Sequence, residues 1–319
     1  MARAFVCPGQ GAQSIGMGKA LADTYPESKA VFQEVDDALG ETLSALIWEG
    51  DLETLTLTEN AQPGLMATSL AAFRALESEG ICLEPDDFVA GHSLGEYSAL
   101  ALSGALSIAD TARLLKVRGK AMQAAVPVGV GSMAALLGLD FEAASEVATE
   151  AAKGEICQAA NDNDPGQVVV SGNTAAVERA VEIAKAKGAK RAIILPVSAP
   201  FHCALMAPAA DVMKEALADV PIRAPKVPLV ANVSAEAVSE PEIIRKLLIE
   251  QITASVRWRE SVLWMSRKGV VEIWEIGAGK ALSGMVRRIN RDITCRNIAQ
   301  PEDISTVIQC LNKEKSCST

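Results

Sequence analysis

The sequence predicts an α/β fold in which a hydrolase-like parallel-sheet large domain carries an inserted ferredoxin-like small domain. Two observations predict it. At several places a short apolar run leads through a glycine-rich turn into a helix, which is the strand–turn–helix unit of a parallel sheet. Between residues 132 and 197 the pattern changes to βαββαβ, the order of a ferredoxin-like unit. With 319 residues, 49% of them hydrophobic, the chain can bury a large core and a second, smaller one.

We place the large hydrolase-like domain at 1–127 and 198–319, and the inserted ferredoxin-like subdomain at 128–197. The inserted unit is expected to overhang the edge of the larger sheet that carries the glycine-rich turns. An overhang of this kind creates a cleft between two domains, where binding sites are common.

The first predicted strand is Arg3–Cys7, followed by a glycine-rich loop, Pro8–Gln13, and a helix that begins near Ser14 or Gly16. The loop is not a dinucleotide-binding fingerprint, because its third glycine is displaced, and it lacks the Lys-Ser/Thr of a phosphate-binding loop. Glycine-rich turns after strands are common, so a packing role and an anion-binding role for its amides both stay open.

A later helix is predicted to begin at Pro63 and to end at Gly80, because proline is favoured at the first position of a helix and glycine just after the last. Its apolar residues share one face, as expected of a packing helix. Gln62 is then a polar loop residue just ahead of the helix, and capping is its default role.

The most informative motif is the Gly-His-Ser-Leu-Gly segment at residues 91–95, between a short apolar run at 88–90 and a helix-forming segment at 97–106. This context matches the nucleophile elbow, in which small residues flank a serine because its strained backbone brings neighbouring chain close. Ser93 would stand at the carboxyl edge of the sheet, and the amide of Leu94 would form half of an oxyanion hole. The alternative is a turn whose serine only caps the next helix.

One arginine is predicted to lie on the apolar face of its helix. In the helix that Asp110 opens and Pro127 closes, Arg118 shares a face with Leu114 and Leu115. A buried guanidinium costs several kcal/mol unless other groups satisfy its donors. Two partners stay open: an internal carboxylate in a structural ion pair, or a carboxylate that arrives with the substrate.

The chain holds only two histidines, His92 and His202. An isolated histidine is more often a surface or core residue than a catalyst. If Ser93 is a nucleophile, His202 is the better base, because the turn holds His92 pointing away from its neighbour. No acid can be assigned to complete a triad. The aspartates between the two residues, all in helix-start or turn settings, are Asp110, Asp140, Asp162 and Asp164.

The net charge of −10 opposes binding to nucleic acid or to anionic membranes, and we expect neither as a partner. No apolar stretch is long enough to span a bilayer, and the N-terminal apolar run is too short for a secretory signal. Seven scattered cysteines form neither a disulfide framework nor a metal-ligand pattern. We therefore expect a cytoplasmic protein without a metal site.

Taken together, these segments resemble the malonyl-CoA:acyl carrier protein transacylases, acyltransferases of fatty acid and polyketide synthesis. The resemblance runs nearly end to end, and the motifs, weak one by one, are specific in this order and spacing. The matching segments are Pro8-Gly-Gln-Gly-Ala-Gln13, Gln62-Pro63, Gly91-His-Ser-Leu-Gly-Glu96, Val117-Arg118-Gly119, Pro165-Gly-Gln-Val-Val, Pro200-Phe-His-Cys-Ala-Leu-Met206 and Glu275-Ile-Gly-Ala-Gly-Lys280.

The resemblance implies a two-step, ping-pong transfer of a malonyl group from malonyl-CoA to the pantetheine thiol of acyl carrier protein. Ser93 would attack the thioester while His202 accepts its proton, and the amides of Gln10 and Leu94 would hold the oxyanion. Arg118 would bind the free malonyl carboxylate through two hydrogen bonds, which explains an arginine on an apolar face.

The resemblance also implies that the main-chain carbonyl of Gln251, rather than an acid, orients the histidine. Gln62, His92 and Asn161 match positions that line the pocket. Phe201 stands where some relatives have serine, and its bulk would crowd an α-methyl branch, although a methyl group is worth only about 1 to 3 kcal/mol. The resemblance implies no metal or redox cofactor. The implied substrate is malonyl-CoA, and the implied acceptor is the carrier-bound phosphopantetheine. We also expect a monomer.

Two other functions fit the same residues. A serine thioesterase or esterase would use water in place of the carrier thiol, with Arg118 paired internally. A non-catalytic acyl-binding module would use Ser93 only as a cap. For the carrier protein, usually acidic, two basic groups are candidate contacts, although a solvated helix face explains them equally well. They are Lys185, Lys187, Lys190 and Arg191, and Arg287, Arg288 and Arg291.

Overall fold

The computed structural model describes residues 2–317, with side chains described as far as residue 311. Met1 and residues 318–319, which belong to the predicted large domain, lie outside the described residues. The strands are β1 (Ala2–Cys7), β2 (Phe88–Gly91), β3 (Gly131–Leu137), β4 (Cys157–Asp164), β5 (Gln167–Asn173), β6 (Arg191–Ile194), β7 (Leu229–Val230), β8 (Ala237–Val238), β9 (Val270–Ile276) and β10 (Thr294–Ile298).

The helices connect and cover these strands. They are α1 (Lys19–Thr24), α2 (Pro26–Leu39), α3 (Leu43–Glu49), α4 (Leu52–Thr56), α5 (Thr58–Ser78), α6 (Leu94–Leu102), α7 (Ile108–Ala124), α8 (Phe141–Ala152), α9 (Thr174–Ala186), α10 (Ala207–Ala218), α11 (Pro241–Glu250), α12 (Trp258–Arg267), α13 (Ala281–Ile289) and α14 (Pro301–Cys317). Within residues 2–317, none of them combines the length and the apolar character that a bilayer crossing requires.

The larger sheet has the strand order β10-β9-β1-β2-β7-β8 and is parallel except for β8, a short edge strand antiparallel to β7. Alternate residues of β1 enter cores on opposite faces. Phe5 and Cys7 pack with α5, α6 and α7, whereas Ala4 and Val6 pack with α12 and α13. Burial on both faces explains why β1 reads as a continuous apolar run rather than as an alternating pattern.

The smaller sheet has the order β4-β5-β3-β6, with every neighbouring pair antiparallel. The chain runs β3-α8-β4-β5-α9-β6, and both helices pack on one face, around Val147 and Val177. This is the ferredoxin-like βαββαβ unit, so the predicted fold class is confirmed. On the opposite face, Phe201 packs between Met133 and the core of the larger domain.

Two ion pairs join the small sheet to helices of the large domain. Asp162 and Asp164, on β4, contact Arg259 on α12 at 2.8 Å and Arg288 on α13 at 2.7 Å, and both aspartates are buried. We call these contacts the interdomain ion pairs. They connect the small sheet to the helices that pack on the large sheet. The exact domain bounds of 128–197 stay a prediction.

Three predicted helix starts are wrong. α1 begins at Lys19 rather than at Ser14 or Gly16, because glycines in the intervening segment take positive φ angles that a helix does not contain. α7 begins at Ile108 rather than at Asp110, one residue after a serine whose hydroxyl caps the helix.

The third correction concerns Gln62. α5 begins at Thr58, so Pro63 lies inside the helix and Gln62 is a buried helical residue rather than a loop residue. A proline inside a helix costs about 3 kcal/mol. Burial of almost every residue between Thr58 and Leu76 outweighs that cost, and only the packing of the whole domain reveals it.

Candidate active site

Ser93 occupies the turn between β2 and α6 in a backbone conformation that few non-glycine residues adopt (φ 55°, ψ −111°). The flanking glycines are required there. A Cβ at Gly91 would lie 2.0 Å from the main chain of Gly95, and one at Gly95 would lie 2.2 Å from the carbonyl oxygen of Cys7. The turn therefore has the geometry of a nucleophile elbow, at the carboxyl edge of the parallel sheet.

Asn232, just beyond β7, holds this strained turn in place. Its Oδ1 accepts a hydrogen bond from the Ser93 N–H (2.8 Å), and its Nδ2 donates to the carbonyl oxygen of Gly91 (2.7 Å). The neighbouring strand thus orients the nucleophile, a role that the sequence reasoning missed. The signal available was position, since Asn232 is a polar residue at the carboxyl end of a strand.

His202 is in hydrogen-bond contact with Ser93, with Nε2 2.8 Å from Oγ. Its Nδ1 lies 2.9 Å from the main-chain oxygen of Gln251, which can only accept, so Nδ1 carries the proton and Nε2 is free to accept one. Burial, and then the charge of Arg118, lower the pKa of His202 to about 3, so the ring is neutral near pH 7. The imidazole has the tautomer that a general base needs.

The structure places none of the four candidate aspartates behind His202. The carboxylate of Asp110 accepts from the Ser107 hydroxyl and pairs with Arg113. Asp140 caps α8, and Asp162 and Asp164 form the interdomain ion pairs. A main-chain carbonyl stands where the acid of a triad would stand.

Arg118 is 1% exposed and borders the cavity described below. Three of its five N–H donors have partners: NH1 donates to Oε1 of Gln62 (2.8 Å), and NH2 donates to Oγ of Ser93 (3.0 Å) and Oε1 of Gln251 (2.9 Å). Within residues 2–311, no carboxylate forms an ion pair with it, and its Nε has no hydrogen-bond partner. Of the two partners that the sequence left open, the internal ion pair is therefore not formed.

Gln251 contributes its side chain as well as its carbonyl. Its Nε2 donates to the main-chain oxygen of Ser93 (3.0 Å) and to Oε2 of Glu96 (2.9 Å), which also accepts the main-chain N–H of Asn232 (3.0 Å). Burial raises the pKa of Glu96 to about 7, against the effects of its hydrogen bonds and of Arg118. The sequence reasoning missed both side chains, although Glu96 follows Ser93 by three residues in the same motif.

Gln10 and Leu94 both line the cavity. Leu94 is the first residue of α6, so its N–H is one of the free donors at a helix N-terminus. In the part of the chain that the structure describes, no acceptor pairs with the main-chain N–H of either residue. The hydroxyl of Thr58 donates to the side chain of Gln10 and holds this loop. The arrangement suits an oxyanion hole, and that role stays a prediction.

A cavity of about 360 Å³ joins these groups between the two sheets, with an apolar wall to which Met122, Met133 and Leu195 contribute. Nine of the ten site residues predicted from the sequence line it. They are Gln10, Gln62, His92, Ser93, Leu94, Arg118, Asn161, Phe201 and His202. The tenth, Gln251, is buried and reaches the site through its hydrogen bonds.

His92 faces the small domain rather than the serine beside it. Its Nε2 lies 2.9 Å from Oδ1 of Asn163, and its ring is tilted against that of Trp258, with centroids 6.1 Å apart. Burial lowers the pKa of His92, so the ring is a neutral part of the cavity wall.

Comparison with known proteins agrees with this geometry. An acyl transferase domain model matches residues 4–277. A malonyl CoA-acyl carrier protein transacylase of Bacillus subtilis (strain 168) is 48% identical over 312 residues, covering 98% of each chain. A crystal structure of an acyl-carrier-protein S-malonyltransferase from Bartonella henselae has a TM-score of 0.95 and 55% identity, covering 98% of this chain and 100% of that one.

A further solved structure contains a type II PKS acyl-carrier protein in complex with its malonyl-transacylase. It has a TM-score of 0.94 and 40% identity, and covers 97% of this chain and 99% of that one. Similarity of this extent shows the family. The chain belongs to the malonyl-CoA:acyl carrier protein transacylase family of acyltransferases.

Proposed function

We propose that the chain transfers a malonyl group from malonyl-CoA to the pantetheine thiol of acyl carrier protein, and so supplies malonyl units for fatty acid synthesis. Relatives similar over nearly its whole length bear the name of this activity. The observation that carries the proposal is the position of Arg118, a buried guanidinium 3.0 Å from the Oγ of Ser93 that pairs directly with no carboxylate of residues 2–311. A malonyl group brings such a carboxylate, and an acetyl group does not.

In the first half-reaction, Oγ of Ser93 attacks the thioester carbonyl carbon of malonyl-CoA while Nε2 of His202 takes the hydroxyl proton. The carbonyl oxygen becomes an oxyanion, which the amides of Gln10 and Leu94 bind. When the carbon–sulfur bond breaks, the imidazolium returns its proton to the departing sulfur of CoA. The malonyl group stays on Ser93 as an ester.

Arg118 changes partners during this step. In the free enzyme its NH2 donates to Oγ of Ser93, and its Nε donates to no group in the described residues. Esterification weakens Oγ as an acceptor, so NH2 and Nε bind the two oxygens of the malonyl carboxylate. An acetyl ester would leave these buried donors unsatisfied, which supports selectivity for malonyl.

In the second half-reaction, His202 accepts the proton of the carrier thiol, whose sulfur attacks the ester carbonyl, and the proton returns to Ser93 as the ester bond breaks. Each half-reaction moves one proton and one acyl group, so no metal or redox cofactor is needed.

We also propose a monomer, because one chain supplies every residue named, and a cytoplasmic location, supported by unpaired cysteines at each of the described positions. Light scattering of the purified protein tests the monomer.

The two basic groups proposed for carrier contact differ in the structure. Lys185, Lys187 and Arg288 form ion pairs within this chain, at 2.8, 3.0 and 2.7 Å. A cation already paired attracts a partner less strongly. The remaining cations, which form no ion pair within residues 2–311, are the better candidates for contact with an acidic carrier protein. They are Lys190, Arg191, Arg287 and Arg291.

Mass spectrometry of the intact protein tests the function. After incubation with malonyl-CoA alone, we expect one malonyl group on the wild type and none on Ser93→Ala. The ester should persist until carrier protein bearing phosphopantetheine is added, and should then appear on the carrier. Rapid release of free malonate without the carrier would favour a thioesterase. Retention of transfer by Ser93→Ala would favour a non-catalytic acyl-binding module.

A further inference from the structure

Glu96 is a buried carboxylate that the proposed reaction does not use. It is 1% exposed and lies in the first turn of α6, three residues after Ser93. Its Oε2 accepts hydrogen bonds from the main-chain N–H of Asn232 (3.0 Å) and from Nε2 of Gln251 (2.9 Å). A buried carboxylate is costly, so its position beside two residues that hold the active site needs an explanation.

The side-chain amide of Gln251 has one productive orientation. Its Oε1 accepts from Arg118 (2.9 Å), while its Nε2 faces three acceptors: the main-chain oxygen of Ser93 (3.0 Å), Oε2 of Glu96 (2.9 Å) and, farther away, Oδ1 of Asn232 (3.3 Å). A flipped amide would turn its N–H groups toward the guanidinium and its oxygen toward these acceptors. Glu96 is the only carboxylate among the three, so it makes the largest contribution to the orientation.

The Gln251 side-chain amide also separates the carboxylate of Glu96 from the guanidinium of Arg118, because it bonds to both. We call this arrangement the relayed pair. A carboxylate in direct contact with Arg118 would occupy the donors that a malonyl carboxylate requires. A guanidinium with no negative charge nearby would be a buried, uncompensated cation. One amide between the two groups avoids both outcomes, because the ionised form of Glu96 balances the guanidinium at a distance while the guanidinium keeps donors for the substrate.

We propose that Glu96 is a positioning residue for malonyl recognition, which acts through the Gln251 side chain to keep the amide oxygen turned toward Arg118. The inference rests on the proposed malonyl transfer. It assigns to Glu96 a part in selectivity between acyl groups, and not only in the stability of the elbow.

The test compares Glu96→Leu with Glu96→Gln and measures kcat/KM for Ser93 acylation by malonyl-CoA and by acetyl-CoA. Glu96→Leu removes the acceptor at similar volume, and the preference for malonyl over acetyl should fall about tenfold. Glu96→Gln keeps an oxygen that accepts from Gln251, and the preference should stay within about threefold of the wild type. Ser98→Ala is the matched control, because this buried serine of the same helix has no hydrogen-bond partner among the described residues.

A double-mutant cycle with Gln251→Leu tests the route of the effect. This variant keeps the main-chain carbonyl that orients His202 and loses only the side-chain amide. If Glu96 acts through that amide, Glu96→Leu should change the preference no further in the Gln251→Leu background. Should Glu96→Leu fail to fold, Glu96→Asp withdraws the carboxylate by one methylene and should lower the preference in the same direction.

An unchanged malonyl preference in Glu96→Leu, or in Glu96→Asp if that is the variant that folds, would overturn the inference. Equal losses for both acyl groups, or fully additive effects in the cycle, would do the same, because they indicate a structural role alone. Failure of the proposed function looks different: the wild type itself would then not pass a malonyl group to the carrier protein in the same assay.

Discussion

Two groups of charges, each containing a buried carboxylate, are built in opposite ways in this molecule. In the interdomain ion pairs, the carboxylate of Asp162 contacts the guanidinium of Arg259 directly, at 2.8 Å. In the active site, the carboxylate of Glu96 and the guanidinium of Arg118 are separated by one amide that bonds to both. A direct pair occupies its arginine and stabilises the fold, whereas a relayed pair leaves donors for a ligand. Direct or amide-mediated contact with a buried carboxylate therefore separates the structural and functional uses of the two arginines.

The largest expected effect is at Arg118, the arginine that contacts Glu96 through the Gln251 amide. Arg118→Ala should lower kcat/KM for malonyl-CoA about thousandfold, because the substrate carboxylate would enter a buried site without a partner. The rate with acetyl-CoA should be unchanged or higher, since an uncharged acyl group gains nothing from a guanidinium. Steady-state kinetics with both substrates provide the measurement, with Arg113→Ala on the exposed side of the same helix as control. Equal losses for both substrates would place Arg118 in the same class as Arg259.

The direct pair of Asp162 and Arg259 should affect stability rather than acyl preference. Arg259→Ala leaves the fully buried side chain of Asp162 unpaired and should lower the free energy of unfolding by about 2 kcal/mol, without changing the malonyl preference. Urea denaturation measures the first quantity. The control is Arg113→Ala, which breaks an exposed pair with Asp110 (3.2 Å, arginine side chain 56% exposed) and should cost less than about 1 kcal/mol. A shift in acyl preference caused by Arg259→Ala would contradict the division between a structural Arg259 and a functional Arg118.

A third variant places a carboxylate in direct contact with Arg118 and so tests whether a direct pair blocks substrate binding. Gln62 Oε1 accepts from NH1 of Arg118 at 2.8 Å, so Gln62→Glu places a carboxylate there with almost no change of shape. We expect kcat/KM for malonyl-CoA to fall about tenfold, because the internal carboxylate competes with the substrate for the guanidinium. Gln62→Met removes the hydrogen bond without adding charge and is the control. Malonyl transfer at the wild-type rate in Gln62→Glu would show that a direct pair does not block the arginine.

The smallest expected effect is that of pH on the rate of Ser93 acylation. Burial and the charge of Arg118 lower the pKa of His202 to about 3, so the base stays neutral as pH falls through 6.5 and is lost only at much lower pH. Malonyl acylation of Ser93 should therefore change less than about twofold between pH 7 and pH 5. The rate is best measured by rapid quench in Glu96→Gln, which lacks the nearby carboxylate whose pKa is about 7. A loss of rate with an inflection near pH 6.5 would contradict the expectation.

Local patterns were sufficient for much of the fold and for part of the site. The elbow could be predicted because the Gly-x-Ser-x-Gly spacing between a strand and a helix is a local pattern, and the contact that requires Gly91 is with Gly95 in the same turn. The contact that requires Gly95 is with Cys7 on β1, and only the tertiary structure shows it. The apolar face of α7 placed Arg118 in the interior, because helical periodicity is local. The start of α5 was wrong, because a proline normally limits a helix and only tertiary burial made Pro63 an interior residue.

The sequence by itself determined the two-sheet architecture, the serine turn at the sheet edge and an arginine on an apolar face, since each depends on the spacing of neighbouring residues. Only the tertiary structure decided how that arginine is balanced. Glu96 and Gln251 are 155 residues apart, and they meet because the tertiary fold brings the end of α11 to the first turn of α6. Hydrogen bonds depend on direction and distance to within fractions of an ångström, and no periodicity in the chain specifies these.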